Sequence, residues 1–229
     1  MEKNINFYAP INGDTTTTFL KHIENIRLKC TKLNVLISTN GGNILDGITI
    51  YNSLIQSGIK EINIYNYGSV DSAGVVIFCA GHNRYSFPFT TFLLHSISMK
   101  VFSREDISKQ KVYEKLKSLE KIQECMIEII AKTTSKTFEE IEKLVNTGTT
   151  FNTNEAKEIG LIKGEKSILF PSELINIYND DSVINLSRGI PDGLSIADLS
   201  PMNRFRSSRN NYEFGTSRQW FGNSYPTFC

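Results

Sequence analysis

Short apolar segments alternate with amphipathic segments from the start of the chain to about Ile162, and this order constrains the fold more than any other feature. The apolar segments have the length of strands and are bounded by Gly, Asn, Pro or Ser: Ile5 to Ala9, Asn34 to Ser38, Glu61 to Asn66 and Thr91 to His95. An alternation of strands and helices is typical of a layered α/β fold with parallel strands and crossover helices.

The amphipathic segments between and after these strands predict helices. Their predicted positions are a start near Asp14, a start after Gly42, a start near Ser72, about Arg104 to Lys132, Thr137 to Val145, and Asn154 to Ile159. We expect Asp14 to cap the first helix and Gly160 to close the last one. The longest helix repeats apolar residues at intervals of three and four, which predicts one buried face.

Charge and hydropathy exclude several classes of function. The chain has 25 basic and 24 acidic side chains, a formal charge of +1, and therefore no overall attraction to nucleic acid or an anionic membrane. No apolar run approaches the roughly 20 residues of a membrane span, and the first residues do not resemble a signal peptide. We expect a cytoplasmic protein.

The cysteines and histidines give no sign of a metal site or a cofactor. The four cysteines lie far apart without a CxxC pair, so neither a zinc site nor a disulfide scaffold is predicted. Apolar neighbours predict that Cys79 and Cys125 are buried free thiols. His22 and His82 lack companions at ligand spacing.

The composition changes after Lys163, and this change divides the chain. We predict a folded domain over residues 1–170 and a C-terminal extension over 171–229, poorly structured or docked on a neighbouring subunit. Interleaved arginines and aromatics in the extension would suit single-stranded nucleic acid. Acidic residues at 192, 198 and 213 dilute that charge, so we expect no nucleic-acid partner.

A serine stands at a predicted junction between a strand and a helix. The segment from Gly68 to Gly74 reads GSVDSAG, follows an apolar strand and leads into an apolar helix, with Ser72 at the junction. Acyl transfer by serine needs such a hydroxyl, a base, and two backbone N–H groups directed at the oxyanion. Upstream, Gly41 and Gly42 follow another strand, and paired glycines let the backbone turn its N–H groups toward a carbonyl.

His95 is the candidate base, because it ends the strand after the serine helix. Both glycine loops follow strands of a parallel sheet and are expected to face one crevice. Taken singly, a Gly-Gly turn or a serine at a helix start is more often structural than catalytic, and a histidine at the end of an apolar strand is a core residue about as often as a catalytic one. The spacing of the three together is what favours a serine hydrolase.

These motifs together resemble the Clp protease proteolytic subunit family from about Ile5 to Ile162. That family has Ser-Pro-Gly-Gly followed by Gly-x-x-Ile-Tyr, and this chain reads TNGG at 39–42 and GITIY at 47–51. The nucleophile motif Gly-x-Ala-x-Ser appears as GSVDS at 68–72. The family's Glu-Ala-x-x-x-Gly-Leu-Ile appears as EAKEIGLI at 155–162.

The resemblance implies a ClpP/crotonase-like fold and serine endopeptidase activity without a cofactor. Ser72 would attack a peptide carbonyl, and His95 would accept its proton and later protonate the leaving amine. The N–H groups of Gly42 and Ala73 would form the oxyanion hole.

Two residues depart from the family pattern. The acidic member of the triad is expected two residues before Phe151, where this chain has Thr149. The hydroxyl of Thr149, or the amide of Asn146, is then expected to orient His95. Asp71 stands beside the nucleophile, where the family has a small neutral residue, and we expect backbone N–H groups at the helix start to satisfy it.

The resemblance also implies partners. Peptides or unfolded proteins would be the substrates, and the long helix after His95 would support a homo-oligomeric ring. An AAA+ unfoldase is a family expectation. The chain begins almost at its first strand, so we expect it to lack the family segment that meets the ATPase.

Three rival functions remain open. A crotonase-type acyl-CoA enzyme shares the fold and the paired N–H groups but would not need Ser72. A Ser/Lys dyad would leave His95 unexplained. A noncatalytic ring subunit would explain Thr149 and Asp71.

Overall fold

The computed structural model of the protein describes residues 1–99, 108–168, 171 and 173–178. The strands are β1 (Glu2–Tyr8), β2 (Lys32–Thr39), β3 (Glu61–Asp71), β4 (Asn83–Ser86), β5 (Thr91–Leu94), β6 (Thr149–Asn152), β7 (Gly164–Glu165) and β8 (Ile175–Tyr178). The helices are α1 (Gly13–Ile26), α2 (Ile44–Ile55), α3 (Ala73–Phe78), α4 (Lys109–Thr133), α5 (Phe138–Thr147) and α6 (Thr153–Glu158). The predicted alternation of strands and helices is confirmed.

The strands form one eight-stranded sheet in the order β6-β5-β3-β2-β1-β8, with β4 and β7 on a side branch. Every pairing is parallel except that of β5 with β6, which confirms the predicted layered α/β class. The long strand β3 pairs along its first half with β4 and along its second half with β5. The chain therefore reaches the end of β3 at the point where the sheet branches.

The main core lies where the helices pack on the sheet. Phe7 of β1 meets Phe19 of α1 edge to face at 6.1 Å, and Phe78 of α3 meets Phe92 of β5 at 5.0 Å. All four rings are fully buried. Burial of aromatic side chains this large fixes α1 and α3 against the sheet and sets where their first residues lie.

Local signals at the helix ends differ in part from expectation. Asn12, not Asp14, caps α1, because its side chain accepts hydrogen bonds from the N–H groups of Asp14 and Thr15. Gly160 adopts a positive φ of 78° just after α6, as a helix-closing glycine should.

The strands extend beyond the predicted ones. Strand β3 continues to Asp71, because Ser69 to Asp71 pair with β5, and the turn therefore falls at Ser72 itself. Strand β8 pairs with β1, so the sheet includes residues that the sequence placed in the C-terminal extension beyond residue 170. Residues 179–229, most of that extension, lie outside the described residues.

The long helix differs from its prediction in what it buries. The described α4 begins at Lys109, and residues 104–107 lie outside the described part. Its buried residues, Met126, Ile127 and Ile130, are all in the C-terminal half. Cys125 is exposed, so the prediction of a buried thiol was wrong there: Cys125 lies on the opposite side of the helix from the core. None of the helices in the described ranges is long and apolar enough to cross a membrane.

Candidate active site

Ser72 occupies a strained turn between β3 and α3. Its φ of 55° and ψ of −120° lie in a region that non-glycine residues rarely adopt, and such strain concentrates at functional sites. The turn is held on both sides, because the Ser72 N–H donates to Leu93 O at 2.8 Å and Ser72 O accepts from Val75 N–H at 3.0 Å. A serine before a helix ordinarily caps it, yet this side chain makes no capping hydrogen bond. The hydroxyl is thus left for another task.

Ser72 and His95 line the same cavity. Its volume is about 410 Å³, and its other described lining residues come from the start of α2, the segment after β5 and the middle of α4: Gly42, Asn43, Ile44, Leu45, Ile97, Ser98, Met99, Ser118, Leu119 and Ile122. The predicted nucleophile, the predicted base and one predicted oxyanion donor are therefore brought together. The lining is mostly apolar and, among the described residues, contains no carboxylate.

The loop at Gly41 and Gly42 packs directly against the serine turn. A Cβ on Gly41 would lie 2.8 Å from the Cβ of Ser72, and one on Gly42 would lie 2.1 Å from Ile11 O. Both glycines have positive φ angles. Thr39 is buried and closes the loop, since its hydroxyl accepts from Gly41 N–H at 3.1 Å and donates to Ala9 O at 2.7 Å. No larger residue fits at either glycine position.

Two backbone N–H groups remain for an oxyanion. The flanking groups of the glycine loop are paired, since Ile11 N–H donates to Gly41 O and Asn43 N–H donates to Ile11 O. Within the described ranges, no acceptor is found for the N–H of Gly42 or for that of Ala73. Gly41 packs on Ser72. The two predicted donors, Gly42 and Ala73, directly follow these two residues in the chain. The two donors therefore belong to turns that pack on each other, and their role as an oxyanion hole stays a prediction.

The His95 ring is half-buried at the rim of this cavity. Its Nδ1 lies 2.8 Å from the carbonyl oxygen of Ser96. Among the described residues, a hydrogen bond from His95 to Ser72 or to Thr149 is not present. Catalytic hydrogen bonds often form only when substrate binds, and the pairing of His95 with Ser72 stays a prediction.

Thr149 lies opposite Leu94 in the pairing of β5 with β6, one residue from His95 along the strand. Its hydroxyl donates to Leu144 O at 2.9 Å and lies 2.9 Å from the hydroxyl of Thr147. The structure thus engages Thr149 with the end of α5, and its assignment as third member of the triad stays a prediction.

Asp71 is satisfied by a side chain and not, as expected, by backbone N–H groups. Its carboxylate accepts from the hydroxyl of Ser69 at 2.6 Å, and that hydroxyl lies 3.1 Å from the hydroxyl of Thr91. The reason is that Asp71 belongs to β3, where alternate residues share a face of the sheet, and does not belong to the helix start.

Cys79 is a buried thiol of the hydrophobic core. Cys79 is fully buried, and burial raises the pKa of its thiol to about 11, so it stays protonated and unreactive at neutral pH. No group of three or more metal-ligating side chains occurs among the described residues.

Sequence reasoning missed Gln123 beside the site, and it expected Asn146 to contact His95, whereas Asn146 contacts Ser96. Gln123 of α4 accepts the N–H of Ile97 at 3.1 Å, and Ser96 donates its hydroxyl to Asn146 at 3.2 Å. Asn146 carried a weak signal, since it lies near the position expected for the acid. Gln123 carried none, because a glutamine on an amphipathic helix is normally a solvated residue.

Comparisons with known proteins point to one family. A sequence model described as Clp protease matches residues 1–164. An ATP-dependent Clp protease proteolytic subunit 2 from Gluconobacter oxydans is 31% identical over 136 residues, 57% of this chain and 58% of that protein. One of the same name from Pseudomonas aeruginosa is 30% identical over 145 residues, 61% of this chain and 70% of that protein.

A solved structure shares the fold. It is of a ClpP1 mutant from Listeria monocytogenes, with a TM-score of 0.63 and 22% identity, covering 78% of this chain and 93% of that one. The alignments with the two curated relatives span 58% and 70% of their lengths. By the match over residues 1–164, the chain belongs to the Clp protease family.

Proposed function

We propose that the protein is a ClpP-type serine endopeptidase subunit that cleaves peptides or unfolded proteins through an acyl-enzyme. The observation that carries the proposal is the conformation of Ser72: a strained serine without a capping hydrogen bond, whose cavity is also lined by His95 and Gly42. Strain of about 1–3 kcal/mol persists only where the surrounding structure enforces it. Two hydrogen bonds enforce it here.

The steps follow from these groups. Ser72 Oγ attacks the carbonyl carbon of the scissile peptide while His95 Nε2 takes the hydroxyl proton. The carbonyl oxygen becomes an oxyanion that accepts from the N–H groups of Gly42 and Ala73. His95 then passes its proton to the leaving amine, and an acyl-enzyme remains on Ser72. A water molecule, deprotonated by His95, releases the acyl group and regenerates the serine.

Several observations support peptidase chemistry over acyl-CoA chemistry. The relatives found by sequence are named as proteolytic subunits. The strained serine has no purpose in an enzyme that needs only the oxyanion donors. The described cavity wall also offers no carboxylate to act as an acid or base. We further propose a homo-oligomeric ring, with an AAA+ unfoldase as a family-level partner.

A second candidate is a noncatalytic ring subunit of the same family. One observation favours it: Thr149, at the position of the triad acid, directs its hydroxyl to Leu144 O and not to His95. Such a subunit would keep the fold and assembly but would not turn over.

A fluorophosphonate probe separates the two candidates, because it reacts with an activated serine whatever the substrate. We expect mass spectrometry to find the label on Ser72 in the wild-type protein and no label in Ser72→Ala. Ser69→Ala is a matched control, since Ser69 lies on the same strand with its hydroxyl bonded to Asp71, and its label should match wild type. A wild-type assembly that takes up no label would establish the noncatalytic alternative.

A further inference from the structure

The hydrogen bond of His95 fixes which of its ring nitrogens carries the proton. Nδ1 lies 2.8 Å from Ser96 O, and a carbonyl oxygen can only accept. Nδ1 therefore carries the hydrogen in the neutral ring, and Nε2 has a free lone pair. A general base that takes a proton from Ser72 through Nε2 needs this tautomer. In a serine triad, an acid ordinarily selects it.

The peptide group that supplies this carbonyl is itself held in place. Ser96 C=O and Ile97 N–H belong to one peptide unit, and the Ile97 N–H donates to Gln123 Oε1 at 3.1 Å. Gln123 thus fixes the orientation of the plane in which the carbonyl lies. It also polarises the peptide, because a hydrogen bond on the N–H side strengthens the acceptor on the C=O side.

Asn146 connects this peptide to a second helix. Its Oδ1 accepts the hydroxyl of Ser96 at 3.2 Å and the Nε2–H of Gln123 at 3.4 Å. The segment that follows β5 is therefore tied to α4 through Gln123 and to α5 through Asn146. The segment that follows His95 is thus hydrogen-bonded to two helices.

We propose that the backbone carbonyl of Ser96 takes the place of the triad acid, and that Gln123 and Asn146 are positioning residues that hold it. The inference rests on the proposed function, in which His95 is the base. It accounts for a site that works without a carboxylate: the tautomer is selected by a neutral acceptor, while Thr149 bonds elsewhere. A neutral acceptor stabilises the imidazolium less than a carboxylate does, so turnover is slower than in a triad with an acid.

The tautomer can be read directly by nitrogen NMR of wild-type protein labelled with ¹⁵N-histidine. The chain contains 3 histidines, and His82 provides an internal comparison. His82 Nδ1 accepts the N–H of Ile62 at 3.0 Å, so its proton must be on Nε2. We expect His95 to show the opposite pattern, with the proton on Nδ1. A neutral His95 with its proton on Nε2 would overturn the inference.

A variant series tests the positioning role. Gln123→Leu keeps a similar volume but removes the acceptor, and we expect fluorophosphonate labelling of Ser72 to slow about tenfold with loss of the Nδ1–H pattern. Gln123→Glu keeps an oxygen acceptor for Ile97 N–H and should restore most of the rate. Gln110→Leu is the matched control: it makes the same change on the same helix, where the amide donates to Glu114, and it should label at the wild-type rate.

The outcomes distinguish this inference from the proposed function. No labelling of Ser72 in the wild-type protein would sink the proposed function, while the NMR tautomer would still decide whether Ser96 O is the acceptor. Normal labelling and an unchanged tautomer in a folded Gln123→Leu protein would refute the positioning role and leave the peptidase intact. Should Gln123→Leu fail to fold, two measurements still test the inference: the tautomer of His95 in the wild-type protein and the labelling rate of Gln123→Glu.

Discussion

At the scale of the residue, Thr149 shows how a hydroxyl can occupy an acid's place without performing its task. A hydroxyl is both donor and acceptor, and here it donates to Leu144 O. A carboxylate at the same position has no proton to donate and would be repelled by that carbonyl oxygen. It would have to turn away from α5. The cation that the reaction creates on the neighbouring segment is the imidazolium of His95, which follows Leu94, the residue paired with Thr149.

The variant Thr149→Asp should therefore raise peptidase turnover. A carboxylate that reaches the His95 ring adds a net negative charge where the transition state develops a positive one. In a well-studied unrelated serine protease, replacing the triad acid by its amide lowers turnover roughly ten-thousandfold, about 5 kcal/mol of barrier. We expect a gain of about tenfold or more with a fluorogenic peptide, since the new side chain sits in a site not built for it.

The control for this gain is the double variant Thr149→Asp with Ser72→Ala, which should be inactive. Thr150→Asp, the neighbouring position on the opposite face of the same strand, should leave turnover at the wild-type level. An unchanged or lower rate in a correctly assembled Thr149→Asp protein would mean that the carboxylate does not reach His95.

At the scale of the element, Arg84 of β4 holds together segments that share no strand pairing with one another. Its guanidinium donates to Leu161 O at 2.8 Å, Gly81 O at 2.9 Å and Thr133 O at 3.0 Å. The first two carbonyls lie just after α6 and α3, and the third lies in the last turn of α4. Burial lowers the pKa of Arg84 somewhat, yet an arginine keeps its charge at neutral pH. One side chain thus joins the C-terminal ends of three helices.

Removing this side chain's donors should destabilise the protein. We expect Arg84→Met, which keeps the apolar stem, to lower the free energy of unfolding by about 2–4 kcal/mol, because several carbonyls lose a charged donor. The matched control is Arg27→Met, since Arg27 pairs with Glu24 on the surface and its replacement should change stability far less. Urea unfolding at one fixed protein concentration measures both. Equal losses of stability in the two variants would show that the hydrogen bonds of Arg84 stabilise the fold no more than a surface ion pair does.

The fold was predictable from the sequence where each element had a local signal, and not elsewhere. Apolar runs with turn residues gave the strands that end at the site, and the glycine loop and Ser72 followed from them. Strands β4, β6, β7 and β8 escaped because each has four residues or fewer, and pairing with an existing sheet makes them strands. The contacts of Gln123 and Ser96 escaped for a similar reason, since only tertiary packing brings α4 against the segment after β5.

At the scale of the whole molecule, the first half of α4 exposes large apolar side chains. Val112, Tyr113 and Leu116 are 53%, 58% and 50% exposed, while the buried residues of the helix all lie further along it. These three share the face that continues to Leu119 in the cavity wall. Apolar side chains that continue a buried face into solvent indicate a contact surface with another chain. Within a symmetric assembly, the partner is expected to be a second copy.

The last prediction is that the protein assembles through this face of α4. Light scattering on micromolar wild-type protein should give a mass several times the 25.9 kDa of the chain. Leu116→Glu places a carboxylate in the proposed contact, where its desolvation opposes association, so the mass should fall toward that of the monomer. Gln110→Glu is the control, because it adds the same charge at an exposed position on another side of the helix and should leave the mass unchanged.

Assembly should also govern activity, since Leu119 and Ile122 of this helix line the cavity of Ser72 and His95. We therefore expect the Leu116→Glu protein to show both a lower mass in light scattering and no fluorophosphonate labelling of Ser72. A wild-type protein found only near 25.9 kDa would contradict the proposed assembly, and a monomeric Leu116→Glu protein that labels normally would show that the site forms without a partner.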